Sequence, residues 1–394
     1  MIVDRDLGAE LLASAEAFRA ITLTGPRQSG KTTLCQHIFP SHAYVSLEDI
    51  AMRQRATEDP RGFLADYPNG AILDEIQHAP HLLSYLQGIL DENPVPGRWI
   101  LTGSQNFALM KEVSQSLAGR TAVLHLLPLS WQEVSRFPSP PAKLEEAIFA
   151  GSYPEILGNP KMDPGRWHSA YMRTYIERDV RGMIREGNLP TFQRFVQLAA
   201  GRAARILNYE ALASDCGISH HAARNWLSLL ETSYVVFQLP PFFRNIRKRL
   251  SKRPKLFFHD TGLVCWLLGI QSAGQLRSHP LRGPIFENWV VSEVVKQRYN
   301  RGLAGGLCFY HEKNRAEADL VVESPEGVLL LECKSSATPA PSLFRGVRRV
   351  QAHFREFGIA AEAAVAYAGD QLQRWPAGAL IPWRCLDSHW EAMR

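Results

Sequence analysis

Long uncharged apolar runs are missing from this chain: no stretch reaches the ~18 residues that a membrane-crossing helix needs. Asp4, Asp6 and Glu10 near the start speak against a signal or transit peptide. The six cysteines (35, 216, 265, 308, 333 and 385) form no CxxC pair. That excludes the usual disulfide and zinc frameworks and suits a reducing, cytoplasmic setting. The thirteen histidines show no metal-ligand spacing either. Repeats and low-complexity tracts are absent, and a net charge of +5 is too small to mark a nucleic-acid binder by itself. What remains is a chain of 394 residues, 45% hydrophobic and 21% charged, long enough for two or three globular domains.

Four regions separate along it. Residues 1–128 alternate short apolar strands (20–23, 43–47, 71–73, 99–101) with helical patterns, as in an α/β domain with a parallel sheet. Residues 129–185 read as a helical lid or connector broken by proline-rich loops. Residues 186–280 are helical and then strand-like at 234–239 and 255–258. Residues 281–394 open with a helix at 285–299 and become strand-rich.

The firmest chemistry lies in Gly25-Pro26-Arg27-Gln28-Ser29-Gly30-Lys31-Thr32-Thr33, which fits G-x-x-x-x-G-K-[ST] between a buried strand and a helix. Glycines let the backbone curl so that N–H groups face the phosphates of ATP. Lys31 reaches the outer phosphates, Thr32 ligates Mg2+, and the helix dipole favours the anion. A neighbouring strand is expected to supply the partners. Residues 70–75 are an apolar run ending in Asp74, placed to hold magnesium, and Glu75, placed to orient or deprotonate water. The strand through 98–104 ends in Ser104, with Gln105 and Asn106 beside it, as a γ-phosphate sensor. Arg120 reads equally as a finger on a neighbouring subunit, implying a homo-oligomer, or as a structural salt bridge.

The ordered set GPRQSGKTTL (25–34), AILDEIQ (71–77), ILTGSQN (100–106), SLAGR (116–120), LPLSWQE (127–133), AGSYPEIL (150–157), YIERDV (175–180) and KRLSKRPKLFFHDTGL (248–263) resembles a family of prokaryotic AAA-type ATPases. Its members carry a C-terminal domain of unknown function 4143. The resemblance implies an AAA+/STAND-like core, a winged-helix middle and a restriction-endonuclease-like end.

In the middle region, 208–219 has helix-turn-helix logic. Gly217 permits the turn, Ser219 caps a helix over 219–231, and Ala222, Trp226, Leu229 and Leu230 form its apolar side. His220, His221, Arg224 and Asn225 are then candidates to face a DNA groove. Arg244, Arg247, Lys248, Arg249, Lys252, Arg253 and Lys255 form an acid-free basic strip where a wing meets phosphate backbone. A solvated strip and a rigid protein adaptor stand as the other readings.

Near the end, residues 318–334 read as a β-hairpin turning at 324–327. Alternation puts Glu332 and Lys334 on one face and Leu329, Leu331 and Cys333 on the other, with Asp319 on the partner strand. Upstream, Glu287 shares a helix face with Val291 and Val294. The order Glu287, Asp319, Glu332-x-Lys334 resembles the PD-(D/E)xK nuclease superfamily. It implies a second Mg2+ or Mn2+ held by the three acids, with Lys334 on the phosphate. Cleavage of DNA, a retained fold serving a regulatory ATPase, and a toxin–antitoxin or phage-defence role all remain open.

Overall fold

A computed structural model describes residues 2–104, 113, 116–176, 180, 184, 188–243, 252–312 and 316–387. Gln105, Asn106, Arg244, Arg247, Lys248 and Arg249, together with part of YIERDV, lie outside the described residues. The chain divides into two compact units. One holds residues 1–129, 232–234 and 298–303; the other holds the rest.

The first unit is built on a five-stranded, fully parallel sheet: β1 Ala20–Thr24, β2 Ala43–Ser46, β3 Ala71–Asp74, β4 Trp99–Gly103 and β5 Thr121–His125. Alternate side chains of each strand serve opposite cores. Leu73, Trp99 and Leu101 pack with Leu83, Leu86 and Leu90 on one face. Ile21, Leu23, Ile72 and Ile100 pack with Leu7, Leu11 and Leu34 on the other. Each such aliphatic side chain contributes about 1.5–3 kcal/mol on full burial, and a sheet covered on both faces explains the continuous apolar strands.

The spatial order is β2-β3-β4-β1-β5. The strand of Asp74 is therefore not beside the P-loop strand, as the sequence suggests; β4 lies between them. β5, whose side chains are only half-buried in alternation, is the strand that the apolar pattern does not reveal.

The second unit holds a helical region, a three-stranded sheet and a six-stranded sheet. Helix Tyr209–Cys216 is capped by the Asn208 side chain and stops at Gly217, whose φ is 71°. Ser219 Oγ then accepts from Ala222 N at 3.1 Å to start helix His220–Thr232. The buried side of that helix is Ala223, Trp226, Leu227, Leu229 and Leu230, so the small contact residue is Ala223 where the spacing suggests Ala222. Trp226 sets its ring edge-on to Phe192 and Phe195. Strands β6 Arg205–Ile206, β7 Val236–Leu239 and β8 Lys255–Phe258 pair antiparallel with β8 central.

The six-stranded sheet comprises β9 Leu307–Glu312, β10 Ala316–Ser324, β11 Gly327–Lys334, β12 Ala361–Tyr367, β13 Gln373–Trp375 and β14 Gly378–Pro382, in the order β13-β14-β12-β11-β10-β9. The expected hairpin is there, with Ser324 paired to Gly327. A register shift between Ala318 and Val321 interrupts the β9–β10 ladder beside Asp319, the kind of irregularity that re-aims a side chain. Val347, Val350 and Phe354 of helix Arg345–Glu356 cover Val328 and Leu330. Helix Arg282–Asn300 buries Asn288, Ser292, Glu293, Lys296 and Gln297 along with its valines.

Candidate functional site

The carboxyl ends of β1, β3 and β4 bring the first set of candidates together. The P-loop is held by backbone geometry: Gly25, Gln28 and Gly30 have φ of 150°, 61° and 94°. A Cβ on Gly25 would stand 2.1 Å from the Leu126 carbonyl oxygen, so only glycine fits the approach to that strand extension. Gly25→Ala is expected to displace the loop and weaken nucleotide binding at least about tenfold, or ~1.4 kcal/mol, in a fluorescent-nucleotide titration. Arg5, which no motif points to, ties the loop down: its Nη1 donates to Ser29 O at 2.7 Å and its Nη2 to Leu127 O at 2.8 Å.

Lys31 is buried and donates to the carbonyls of Gly25 (3.1 Å) and Pro26 (2.9 Å). Burial pushes its ammonium below the ordinary lysine value, while Glu75 and Asp74 pull the other way. Thr32 Oγ1 donates to Asp74 Oδ2 at 2.9 Å, Tyr44 OH donates to the same oxygen at 2.8 Å, and the Thr102 hydroxyl donates to Oδ1. A hydroxyl and a carboxylate side by side are hard oxygen donors that fit magnesium. Arg27 lies 3.9 Å from Glu48, and Thr33 is exposed on the first turn of helix Lys31–Ile38.

Glu75 adopts the left-handed region at φ 56°, directly after β3. Burial disfavours its charge, but Lys31, the Gln77 amide and Arg27 outweigh that and hold the carboxyl below the ordinary glutamate value. Gln77 Nε2 donates both to Glu75 Oε2 and to Ser104 Oγ, the latter at 3.0 Å, so one amide joins the two candidates. Neither Gln77 nor Tyr44 stands out in the sequence, because their roles appear only once the strand ends meet. Thr24 Oγ1 at the end of β1 is 2.8 Å from both His125 Nδ1 and Tyr234 OH, and burial lowers the His125 pKa to about 4. Arg120 makes a two-pronged pair with Asp91, Nε and Nη2 each 2.7 Å from a carboxylate oxygen. The salt bridge is thus the arrangement that the structure describes for it.

The second set meets on β10, β11 and helix Arg282–Asn300, with an unexpected member. Lys255, the last residue of the basic strip, does not face solvent; it is 3% exposed. Its Nζ lies 2.9 Å from Glu287 Oε1, 2.9 Å from Glu317 Oε1 and 3.4 Å from Asp319 Oδ1. Burial opposes its charge, but Glu287, Asp319 and Glu317 overcome this and raise its pKa. The other Asp319 oxygen accepts Cys333 N at 2.8 Å, and Glu332 Oε1 takes the Lys334 ammonium. Burial, followed by repulsion from Asp319, raises the pKa of both Glu287 and Glu332.

As it stands, this donor set does not fit a divalent ion. Lys255 holds an oxygen of Glu287 and one of Asp319, the Cys333 N–H the other oxygen of Asp319, and Lys334 one of Glu332. That leaves Glu332 Oε2 as the single buried oxygen of the cluster without a partner among those described. An ion 4 Å from Lys255 would meet a repulsion of about 8 kcal/mol at an effective dielectric of 20, twice the unit-charge value. Among the described residues, no group of three or more His, Cys, Asp or Glu is arranged to hold a metal ion.

Sheet, P-loop and strand-end acids together define a P-loop ATPase fold, and comparison with known proteins refines that class. Residues 17–135 match the model of an AAA domain, 141–274 a domain of unknown function (DUF8612) and 282–386 a domain of unknown function (DUF4143). The chain thus carries an AAA-type ATPase domain followed by DUF4143. An uncharacterized protein of Mycobacterium tuberculosis, Rv2008c, is 28% identical over 371 residues, spanning 94% of this chain and 81% of its own. The uncharacterized MJ1544 of Methanocaldococcus jannaschii is 22% identical, across 84% of this chain and 77% of its own. Among solved structures, the Walker-type ATPase PABY2304 of Pyrococcus abyssi overlaps 68% of this chain and 96% of its own, at TM-score 0.46 and 14% identity. AMPPCP-bound DnaA from Aquifex aeolicus overlaps 57% of this chain and 85% of its own, at TM-score 0.30 and 13% identity. No helix among the described residues is long and apolar enough to cross a membrane.

Proposed function

We propose that the protein is a magnesium-dependent ATPase whose nucleotide state governs a DNA-contacting winged helix. The observation that carries the reading is the meeting of Lys31, Thr32, Asp74, Glu75 and Ser104 at one end of the parallel sheet. In this reading Thr32 and Asp74 hold magnesium, which supplies charge neutralisation at the phosphate oxygens. Lys31 leaves the loop carbonyls for phosphate, Glu75 orients and deprotonates water, and Gln77 keeps Glu75 and Ser104 in register. Steady-state phosphate release tests it: turnover with ATP and Mg2+ is expected, and its loss in EDTA. Turnover unaffected by chelation would overturn the proposal.

The DNA half rests on helix His220–Thr232, where His220, His221, Arg224 and Asn225 are all exposed, with the Arg224 guanidinium 5.3 Å above the Tyr209 ring. Lys252 and Arg253, at the entry to β8, are exposed as well. A helix after a tight turn, next to an antiparallel ribbon with basic residues, suits groove and phosphate binding. Fluorescence anisotropy with a labelled duplex checks this. The double variant Arg224→Ala, Arg253→Ala is expected to reduce the slope of log K against log[salt] by about 2, close to one unit for each phosphate that is no longer neutralised. An unchanged slope and affinity would remove DNA from the reading.

A further inference from the structure

We propose that Lys255 is the resident cation of the acid cluster in the DUF4143 region. On this view, Glu287, Asp319 and Glu332 do not take up a divalent metal, and the domain does not cut phosphodiesters by metal assistance. The inference is independent of the ATPase reading, since every group it uses lies on β8, helix Arg282–Asn300, β9, β10 or β11.

An ammonium has three N–H donors, and Lys255 has three carboxylates to receive them: Glu287, Glu317 and Asp319. It arrives from a separate element. β8 is fixed by pairing Leu256 and Lys255 to Arg205 and Ile206 on one side, and Leu239 to Lys255 on the other. The lysine is therefore delivered by backbone geometry and is not a loose surface chain folded inward. All four residues of β8 are buried, so the strand has no solvent face to which Lys255 could return. Its Nζ also lies over the Phe309 ring, 5.5 Å from the centroid, a cation–π contact that further favours the charged form.

The acids, for their part, are not free to switch partner. Asp319 is held by the Cys333 N–H and Glu332 by Lys334. Among the described oxygens of the cluster, only Glu332 Oε2 is both buried and without a hydrogen-bond partner. One open oxygen on one acid is far short of the six or more oxygen ligands that a divalent ion gathers. Taking the ammonium away would free oxygens of Glu287 and Asp319 in the same cluster, leaving hard oxygen donors of the kind that divalent ions accept.

Manganese counted by electron paramagnetic resonance on the full-length, nucleotide-free protein tests this. In the wild-type protein, Asp319→Asn is expected to leave the number of bound Mn2+ unchanged. Lys255→Met is expected to gain one Mn2+ per chain, a gain that adding Asp319→Asn removes and that Lys255→Arg does not produce. Loss of a bound Mn2+ from the otherwise wild-type chain on Asp319→Asn would overturn the proposal, and so would a folded Lys255→Met that gains none. Should Lys255→Met not fold alone, the wild-type and Asp319→Asn comparison still decides between the two outcomes.

Discussion

Replacing Glu75 with glutamine is expected to slow ATP turnover about 10²- to 10⁴-fold, the usual range for a positioned general base. Nucleotide affinity is expected to stay within about threefold of wild type, because in the proposed mechanism Glu75 acts in the transition state and not in ground-state binding. Glutamine preserves the shape and can still bond to Gln77, so Ser104 keeps its neighbour. What it loses is the charge, which Lys31, Gln77 and Arg27 hold in place against burial. The sign of that balance carries a second consequence. A carboxyl whose pKa is below the ordinary 4.5 in the free protein remains ionised through the neutral range, so its acid limb in the kcat/KM profile should fall below that value and not near neutrality. Lys31→Ala serves as the contrast: in the proposed mechanism it removes the group that meets the phosphates, and it should abolish binding as well as turnover. A Glu75→Gln enzyme that retained a tenth or more of wild-type turnover, by the same general-base arithmetic of about 10²-fold or greater loss, would strip the role from Glu75.

Much of this site was legible because its signals are local. The P-loop string fixes its own turn geometry, and acids that end an apolar strand announce the carboxyl edge of a parallel sheet. Gly217 likewise names its turn and Ser219 its helix cap, and 324–327 names its hairpin, whereas the Asn208 cap shows only in the structure. The parts that stayed hidden depend on long-range meetings. Nothing in the order of the strands says that β4 enters between β1 and β3, yet this insertion is what puts Thr102 on Asp74 and Ser104 near Glu75. Arg5 finds the P-loop across a sequence separation of 24 residues, and Tyr44 finds Asp74 across 30. Lys255 is the instructive case. Taken with six other basic residues it looks like surface charge, but it also opens Lys-Leu-Phe-Phe, a strand with no polar side. Strand burial overrode charge, and three carboxylates made that tolerable.

Asp260→Ala is expected to destabilise the second unit by about 3–5 kcal/mol, the loss typical of removing one partner from a buried charged network. Asp260 is 2% exposed. It accepts from Ser152 N at 2.7 Å, Ser152 Oγ at 3.0 Å and Leu263 N at 2.8 Å, and it lies 3.7 Å from His168 Nε2. It therefore joins two of the segments behind the family resemblance, 150–157 and 248–263. Gly151 is the other half of the junction, since a Cβ there would come within 2.6 Å of the Asp260 carboxylate. Alanine leaves two buried backbone N–H groups without acceptors, at about 1–3 kcal/mol each. The network also extends: Lys296 Nζ donates to Ser152 Oγ at 3.0 Å and to Glu293 Oε1 at 2.8 Å, and Glu293 in turn accepts Trp131 N. Asp163→Ala isolates the capping part of the effect, because Asp163 also caps a helix, through Arg166 N, but is exposed. Its cost should be about 1 kcal/mol. Urea unfolding followed by tryptophan fluorescence compares the two. Equal losses would mean that Asp260 is only a helix cap, and that the junction of the two segments is held by apolar packing alone.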